Sequence, residues 1–247
     1  MFALETLKRK IVRMNEARTT NRKLRREPGE QMQSPAGTDE AALARPYHHG
    51  ALREALLEAA ELVLRRDGLR GLTLRAISRE VGVSHTAPQR HFNDTAGVLS
   101  ELAAIGHHRL AASMARQAEG IGNELERRKA IARGYISFAV EQPDLFRLMS
   151  RNELLDQSNE ALGLARRMSI RALAGTIGRE SAPTSAGASI DTARAVEMTA
   201  GWAYVHGLAT LLIDGRLDGV AQVTDNIDDA AGLVAAAIER MRLALAD

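Results

Sequence analysis

Cysteine is absent from this 247-residue chain, which excludes disulfides, thiolate nucleophiles and cysteine-ligated zinc. Proline is scarce, at 6 residues, and aromatic residues make up only 3%. What remains is rich in Ala, Leu, Arg and Glu, a composition that favours helix. Lysine is almost missing: Lys8, Lys10, Lys23 and Lys129 are the only ones among 33 basic residues, a skew read as coding bias before function. The longest uncharged apolar run, residues 198–213, is 16 residues long and holds His206 and two glycines. A membrane span needs roughly 20, so this run is expected to be a buried helix. No apolar signal-peptide core follows the start, where a basic run succeeds Leu7. The expectation is a cytoplasmic, all-α protein with no membrane association.

The formal net charge of +2 hides a polarised layout. Residues 1–27 carry nine Lys/Arg against three Glu, and residues 45–110 nine Arg against seven acids, with six of the seven histidines. Residues 111–247 reverse the sign, with 15 basic and 18 acidic residues. A front half facing nucleic acid and a neutral-to-acidic remainder fit this asymmetry. Pro28, Gly29, Pro35 and Gly37 break the basic start into a polar linker. The organisation is therefore a basic tail (1–45), a first domain (46–110) and a larger helical domain (111–247).

From Gly50 onward Leu52, Ala55, Leu56, Ala59, Ala60 and Val63 recur at helical spacing, and Gly68 stops the run. Later helices are expected at 123–142, 143–151, 159–180, 191–213 and 226–246, about nine in all after the tail. The informative segment is 72–92, LTLRAISREVGVSHTAPQRHF. Thr73 caps a short helix with Leu74, Ile77 and Val81 on one face. Gly82 then supplies the positive φ of a tight turn, and Ser84 caps a second short helix. Two short crossed helices joined by such a turn make a helix-turn-helix. The second presents polar groups able to meet phosphates or base edges in a major groove.

Residues 47–110 resemble the tetracycline-repressor-like (TetR) family of bacterial regulators: Thr73, Ala76, Ile77, the run Val81-Gly82-Val83-Ser84, His91-Phe92 and Leu99 fall where that family has its cap, core, turn and closing residues. Trp202, His206 and Gly207, with Pro143 to Met149 upstream, look like the family branch with a Trp-His-Gly C-terminal signature. The resemblance implies a homodimeric repressor, bacterial and cytoplasmic, that binds a near-palindromic double-stranded DNA operator and is released by a small apolar or amphipathic ligand. Carried over by position, Thr73, Arg75, Ser84, His85, Thr86, Gln89, Arg90 and His91 are DNA-facing. Arg90 suits guanine readout, His91 and Thr73 suit phosphates, and Arg75 reads equally as a solvated flank. Two departures stand out: Pro88-Gln89 replaces the common Leu-Tyr pair, and Thr95 replaces a common phosphate-binding Lys.

In the C-terminal half Trp202 and His206 share a helix face. Either Trp202 is core and His206 a hydrogen-bonded structural residue, or Trp202 and His206 line a ligand cavity with Tyr135, Phe138, Phe146 and Met149. Gly207, Leu208, Leu211 and Leu212, with Val234, Ile238 and Met241 of a second apolar stripe, are the expected dimer interface. His48-His49 and His107-His108 lack the spacing of a metal site, and no phosphate loop, dinucleotide fingerprint or nucleophile elbow is present. No metal, cofactor or catalytic group is expected. The alternatives are a regulator without a small-molecule ligand, an activator, a non-specific DNA-coating protein and a helical enzyme.

Overall fold

A computed structural model of the protein describes residues 49–174 and 192–241; the basic tail lies outside the described residues. Within them the chain forms ten α-helices and one short 3₁₀ turn, with no strand. The first three helices are α1 (His49–Gly71), α2 (Leu74–Val81) and α3 (Ala87–Phe92). They are followed by α4 (Thr95–Ala118), α5 (Glu124–Glu141) and α6 (Pro143–Met149), then the 3₁₀ turn Asn152–Leu154. The last four are α7 (Glu160–Ala174), α8 (Thr192–Ile213), α9 (Asp218–Gln222) and α10 (Ala230–Glu239). None is long and apolar enough to cross a membrane.

Local chemistry sets the starts. Asp94 Oδ1 accepts from Gly97 N at the head of α4, Asn123 Oδ1 from Glu126 N at α5, and Asp229 Oδ1 from Gly232 N at α10. Each satisfies a backbone N–H that the first turn leaves without a partner. Pro143 opens α6, where its missing N–H costs nothing.

The strut of the fold is α4, 24 residues long and so roughly 36 Å from end to end. Its first turns close the N-terminal head through Val98, Leu99 and Leu102; its last turns carry Leu110 and Met114 into the body. A single apolar core joins the two, from Leu56, Val63 and Ile77 through Phe138 and Leu148 to Val234 and Ile238. The boundary expected near residue 110 thus falls inside α4, whose continuous helix spans head and body. Against α5 the strut approaches to backbone contact. A Cβ on Gly134 would stand 2.7 Å from both Met114 Cα and the Ser113 carbonyl oxygen. Ser113 Oγ donates to the Gly134 carbonyl at 2.9 Å across the same crossing.

Three sequence expectations move. The second short helix begins at Ala87 with Thr86 at its cap position, two residues past Ser84. Ser84 instead folds an ST-type turn, its Oγ accepting from Thr86 N at 3.3 Å. The helix expected from 226 starts at Ala230, because Asp229 takes the cap, and the separate helix α9 precedes it. The helix expected over 143–151 ends at Met149 and gives way to the 3₁₀ turn. The ends of the expected helices 159–180 and 226–246 lie partly outside the described residues.

Candidate functional site

The head is built to hold α3 outward. Thr73 Oγ1 accepts from Ala76 N at 3.1 Å and starts α2. Gly82, at φ 75 and ψ 29, ends it. The N–H of Val83 returns to the Ser78 carbonyl at 3.0 Å, the closure of a Schellman turn, which needs a left-handed residue where glycine stands. Then α3 is pinned from below by buried Pro88 and Phe92, and the Arg53 guanidinium sits 5.3 Å from the Phe92 ring centroid. Arg66 of α1 reaches Glu80 of α2 at 3.0 Å.

With those side chains turned inward, the remaining residues of the segment face out. Thr73, Arg75, Ser84, His85, Gln89 and Arg90 are exposed, and Thr86 and His91 are half-buried. Ser84 and Thr86 share a hydroxyl–hydroxyl bond of 2.9 Å. His91 leans on Phe92, with ring centroids 6.2 Å apart. Pro88 is accommodated because it lies in the first turn of α3, and Gln89 beside it is exposed.

A second cluster lies in the body. Tyr135 of α5, Phe146 of α6 and His206 of α8 pack ring to ring: Tyr135–Phe146 at 5.7 Å, Phe146–His206 at 5.3 Å, Tyr135–His206 at 6.3 Å. Phe138 adds an edge contact to Phe146 at 6.4 Å. Trp202 stands beside His206 at 6.3 Å, and Met149 lies one turn beyond Phe146. Trp202 Nε1 donates to Tyr135 Oη at 3.3 Å, and Tyr135 Oη lies 2.9 Å from His206 Nδ1. Indole N–H can only donate, so Tyr135 Oη accepts from Trp202, and the direction of its bond to His206 follows the imidazole tautomer. Burial pushes the Tyr135 phenol up to about 12 and lowers the His206 imidazole. Trp202 is 50% exposed, which corrects its reading as core; the buried positions of α8 are Gly201, Val205, Ala209, Leu212 and Ile213.

The residues expected at a dimer interface divide. Leu212, Val234, Ile238 and Met241 are buried in the chain's own core, a correction: an apolar stripe serves an internal partner as well as an external one, and these side chains take the internal one. Gly207, Leu208 and Leu211 are half-buried. A Cβ on Gly207 would meet nothing within 4 Å, so that position opens away from the body. Val196, Ala200 and Ala203 are exposed along the same side of α8.

Between head and body lies a link that sequence reading missed. Arg109 of α4 grips Glu61 of α1 with both guanidinium nitrogens, Nη1 to Oε1 at 2.6 Å and Nη2 to Oε2 at 2.9 Å. The same Nη1 reaches Gln142 Oε1, between α5 and α6, at 2.8 Å. Burial works to raise the Glu61 pKa, but the hydrogen bond and charge of Arg109, with the charge of Arg65, outweigh it and hold the carboxyl below its ordinary value. The i,i+4 pair Glu61–Arg65 is visible in the sequence; the 48-residue step to Arg109 carries no local signal.

The family description "Tetracyclin repressor-like, C-terminal domain" matches residues 129–239. A solved structure of a protein of unknown function from Rhodococcus sp. RHA1 is 34% identical. The match covers 79% of this chain and 95% of that one, with a TM-score of 0.62. The TetR family transcriptional regulator PfmR from Thermus thermophilus shares the fold at 16% identity, over 74% of this chain and 94% of that one, with a TM-score of 0.51. A regulatory protein in the tetR family from Rhodococcus RHA1 does so at 16% identity, over 76% and 93%, with a TM-score of 0.52. No curated protein sequence matches the chain.

Proposed function

The chain belongs to the tetracycline-repressor-like (TetR) family, and from that membership we propose that it is a homodimeric repressor, released from a near-palindromic operator by a small molecule held in its C-terminal domain. The fold is that of a DNA-binding transcription regulator. The observation that carries the DNA-binding reading is the outward row Ser84, His85, Gln89 and Arg90 on a short helix whose opposite face is buried through Pro88 and Phe92. Arg90 makes no hydrogen bond or ion pair with the described residues, so its guanidinium is available for the O6/N7 edge of guanine. Gln89 suits adenine in the same way. Thr73 and His91, at the rim of the row, hold phosphates and fix the register.

Dimerisation is assigned to the outer side of α8, where Val196, Ala200, Ala203 and Gly207 recur at intervals of three and four residues, flanked by Leu208 and Leu211. Small side chains there let a second copy approach closely across a two-fold axis. A two-fold dimer that reads successive major grooves holds its two recognition helices about 34–36 Å apart, one helical turn of DNA. The effector is assigned to the aromatic cluster of the body, where half-exposed Trp202 and His206 border Tyr135 and Phe146. An apolar or amphipathic molecule suits a wall of that composition.

Selection of bound sequences from random DNA tests the reading, followed by two variants. Arg90→Ala should cost about 1–3 kcal/mol on the selected operator and relax preference at one position per half-site. His91→Ala should weaken all sequences nearly alike. If both folded variants keep wild-type affinity and preference, α3 does not enter the groove and the reading fails.

A further inference from the structure

The start of α7 lies against the head end of α4. Glu101, in the second turn of α4, uses its two carboxylate oxygens on different elements: Oε2 pairs with Arg53 Nη2 of α1 at 2.8 Å, and Oε1 accepts from Asn159 Nδ2 at 3.3 Å. Asn159 caps α7, its Oδ1 accepting from Leu162 N at 2.8 Å. A cap must accept and a carboxylate has no proton to give, so the amide has one orientation, oxygen into α7 and nitrogen toward Glu101. One residue earlier on α4, buried Ser100 donates to the Ala96 carbonyl and accepts from Asp156 N, each at 2.8 Å. Residues 150–159 thus place hydrogen bonds on two adjacent residues of α4, while Leu155 is the one side chain of that stretch buried in the core.

What is held there is α3. The Arg53 guanidinium that pairs with Glu101 also stands 5.3 Å from the ring centroid of Phe92, the last residue of α3. At the α3–α4 corner a Cβ on Gly97 would run into the Phe92 carbonyl oxygen, so α3 and the first turn of α4 abut backbone to backbone and shift together. The other fixed point of α4 is its close crossing with α5 at Met114. Thirteen residues separate Glu101 from Met114, roughly 20 Å of helix. A tilt about that crossing displaces the α3–α4 corner further than it displaces Glu101. With a head on each of two copies, slips of about 1–2 Å change the separation by about 2–4 Å, the scale of one base-pair step of about 3.4 Å. Apolar faces slide over such distances, whereas hydrogen bonds weaken steeply with distance and angle.

We propose that Asn159 and Glu101 are positioning residues for DNA recognition: the cap of α7 clamps the head end of α4 to the body and so sets the half-site spacing that the dimer accepts. The assignment rests on the reading of the chain as a two-headed DNA-binding dimer and adds what selects the spacing. Neither residue touches DNA in this role. Contacts from α3 decide the sequence of each half-site, and the clamp decides the distance between the two.

The test uses the full chain and three DNA duplexes: the operator recovered by selection, the same operator with one base pair added or removed between its half-sites, and a single half-site. Asn159→Ser keeps a capping hydroxyl but is too short to reach Glu101. Asn159→Asp keeps the cap and sets a second carboxylate against Glu101. Both variants should keep the wild-type melting temperature and single half-site affinity. Their discrimination between the selected spacing and its neighbours should fall by roughly two- to thirtyfold, the range of couplings of this kind. Glu101→Ala should lower it too, and adding Asn159→Ser to that variant should lower it no further, because the two residues act through one bond. A second readout needs no DNA. The chain has no cysteine, so His85→Cys carries a single spin label per copy, and the distance distribution between the two labels should be narrow in the wild type and broad with Asn159→Ser. Unchanged discrimination or an unchanged distribution in Asn159→Ser overturns the proposal. So does a loss that tracks melting temperature or single half-site affinity, which a structural role alone would give. A wild type that binds every spacing alike refutes the two-headed reading itself; a sharp spacing optimum that the variants retain refutes the clamp alone.

Discussion

Replacing Arg109 by alanine removes a side chain that ties α1, α4 and the α5–α6 junction together. The Glu61 side chain is 11% exposed and that of Arg109 40%, so the pair lies between two regimes. Breaking a fully buried ion pair costs about 3–5 kcal/mol because a charge is stranded, whereas an exposed pair is worth about 0–1 kcal/mol. With Arg65 still 3.0 Å from Glu61 and solvent reaching Arg109, the expected loss is about 1–3 kcal/mol. For a chain of this size each kcal/mol lowers the melting temperature by about 2–4 °C. Urea titration gives the loss directly, and a double-mutant cycle with Glu61→Gln should return a coupling of about 0.5–3 kcal/mol. Arg109→Lys keeps the charge but loses the two-pronged geometry, so it should recover only part. A head held less firmly must be ordered on DNA, and operator affinity should fall with stability. A stability change below 0.5 kcal/mol in Arg109→Ala (roughly the size of a neutral surface substitution), with a cycle that closes to zero, would refute the link between head and body.

Gly134→Ala should destabilise by about 1–3 kcal/mol or more, since its Cβ meets backbone that cannot rotate away; calorimetry checks this, and a neutral result would mean α4 and α5 can separate at no cost. Gly207→Leu should leave the monomer folded, because its side chain points into open space, yet weaken dimerisation and uncouple the two half-sites. Sedimentation at sub-micromolar concentration decides that, and an intact dimer would move the interface elsewhere. Acid should act in two steps. His107 titrates at about 4 in the fold against 6.5 as a free side chain, so the stability it contributes above pH 6.5 is lost as pH falls from there toward 4. Glu61, held below its ordinary 4.5, contributes stability above that value and loses it as pH falls further. Urea midpoints between pH 7 and 3 should show both steps, the first absent in His107→Leu and the second blunted in Arg109→Ala.

Much of the head was legible because its signals are local. Thr73 as cap, Gly82 as left-handed turn and Pro88 in a first turn each depend on neighbours within about five positions, where backbone geometry leaves few choices; Phe92 as a closing core residue came from the resemblance. The same locality fixed the outward set Arg75, His85, Gln89 and Arg90, since periodicity separates buried from exposed faces. The start of α3 was misplaced because Ser84 and Thr86 both offer cap chemistry, and the competition between an ST turn and a helix cap turns on the path of the chain into Ala87. In the body, helices were legible but not the partners of their faces. A stripe such as Val234, Ile238 and Met241 reads the same whether a second copy or the chain's own α5 and α8 cover it, and only packing resolved it inward. Trp202 was likewise undetermined until α5 and α6 filled the space beneath it. Glu61 with Arg109 and His107 with Ser169 are 48 and 62 residues apart. Hydrogen bonds over such distances follow from how helices cross, and that is decided by the whole core at once rather than by any segment of sequence.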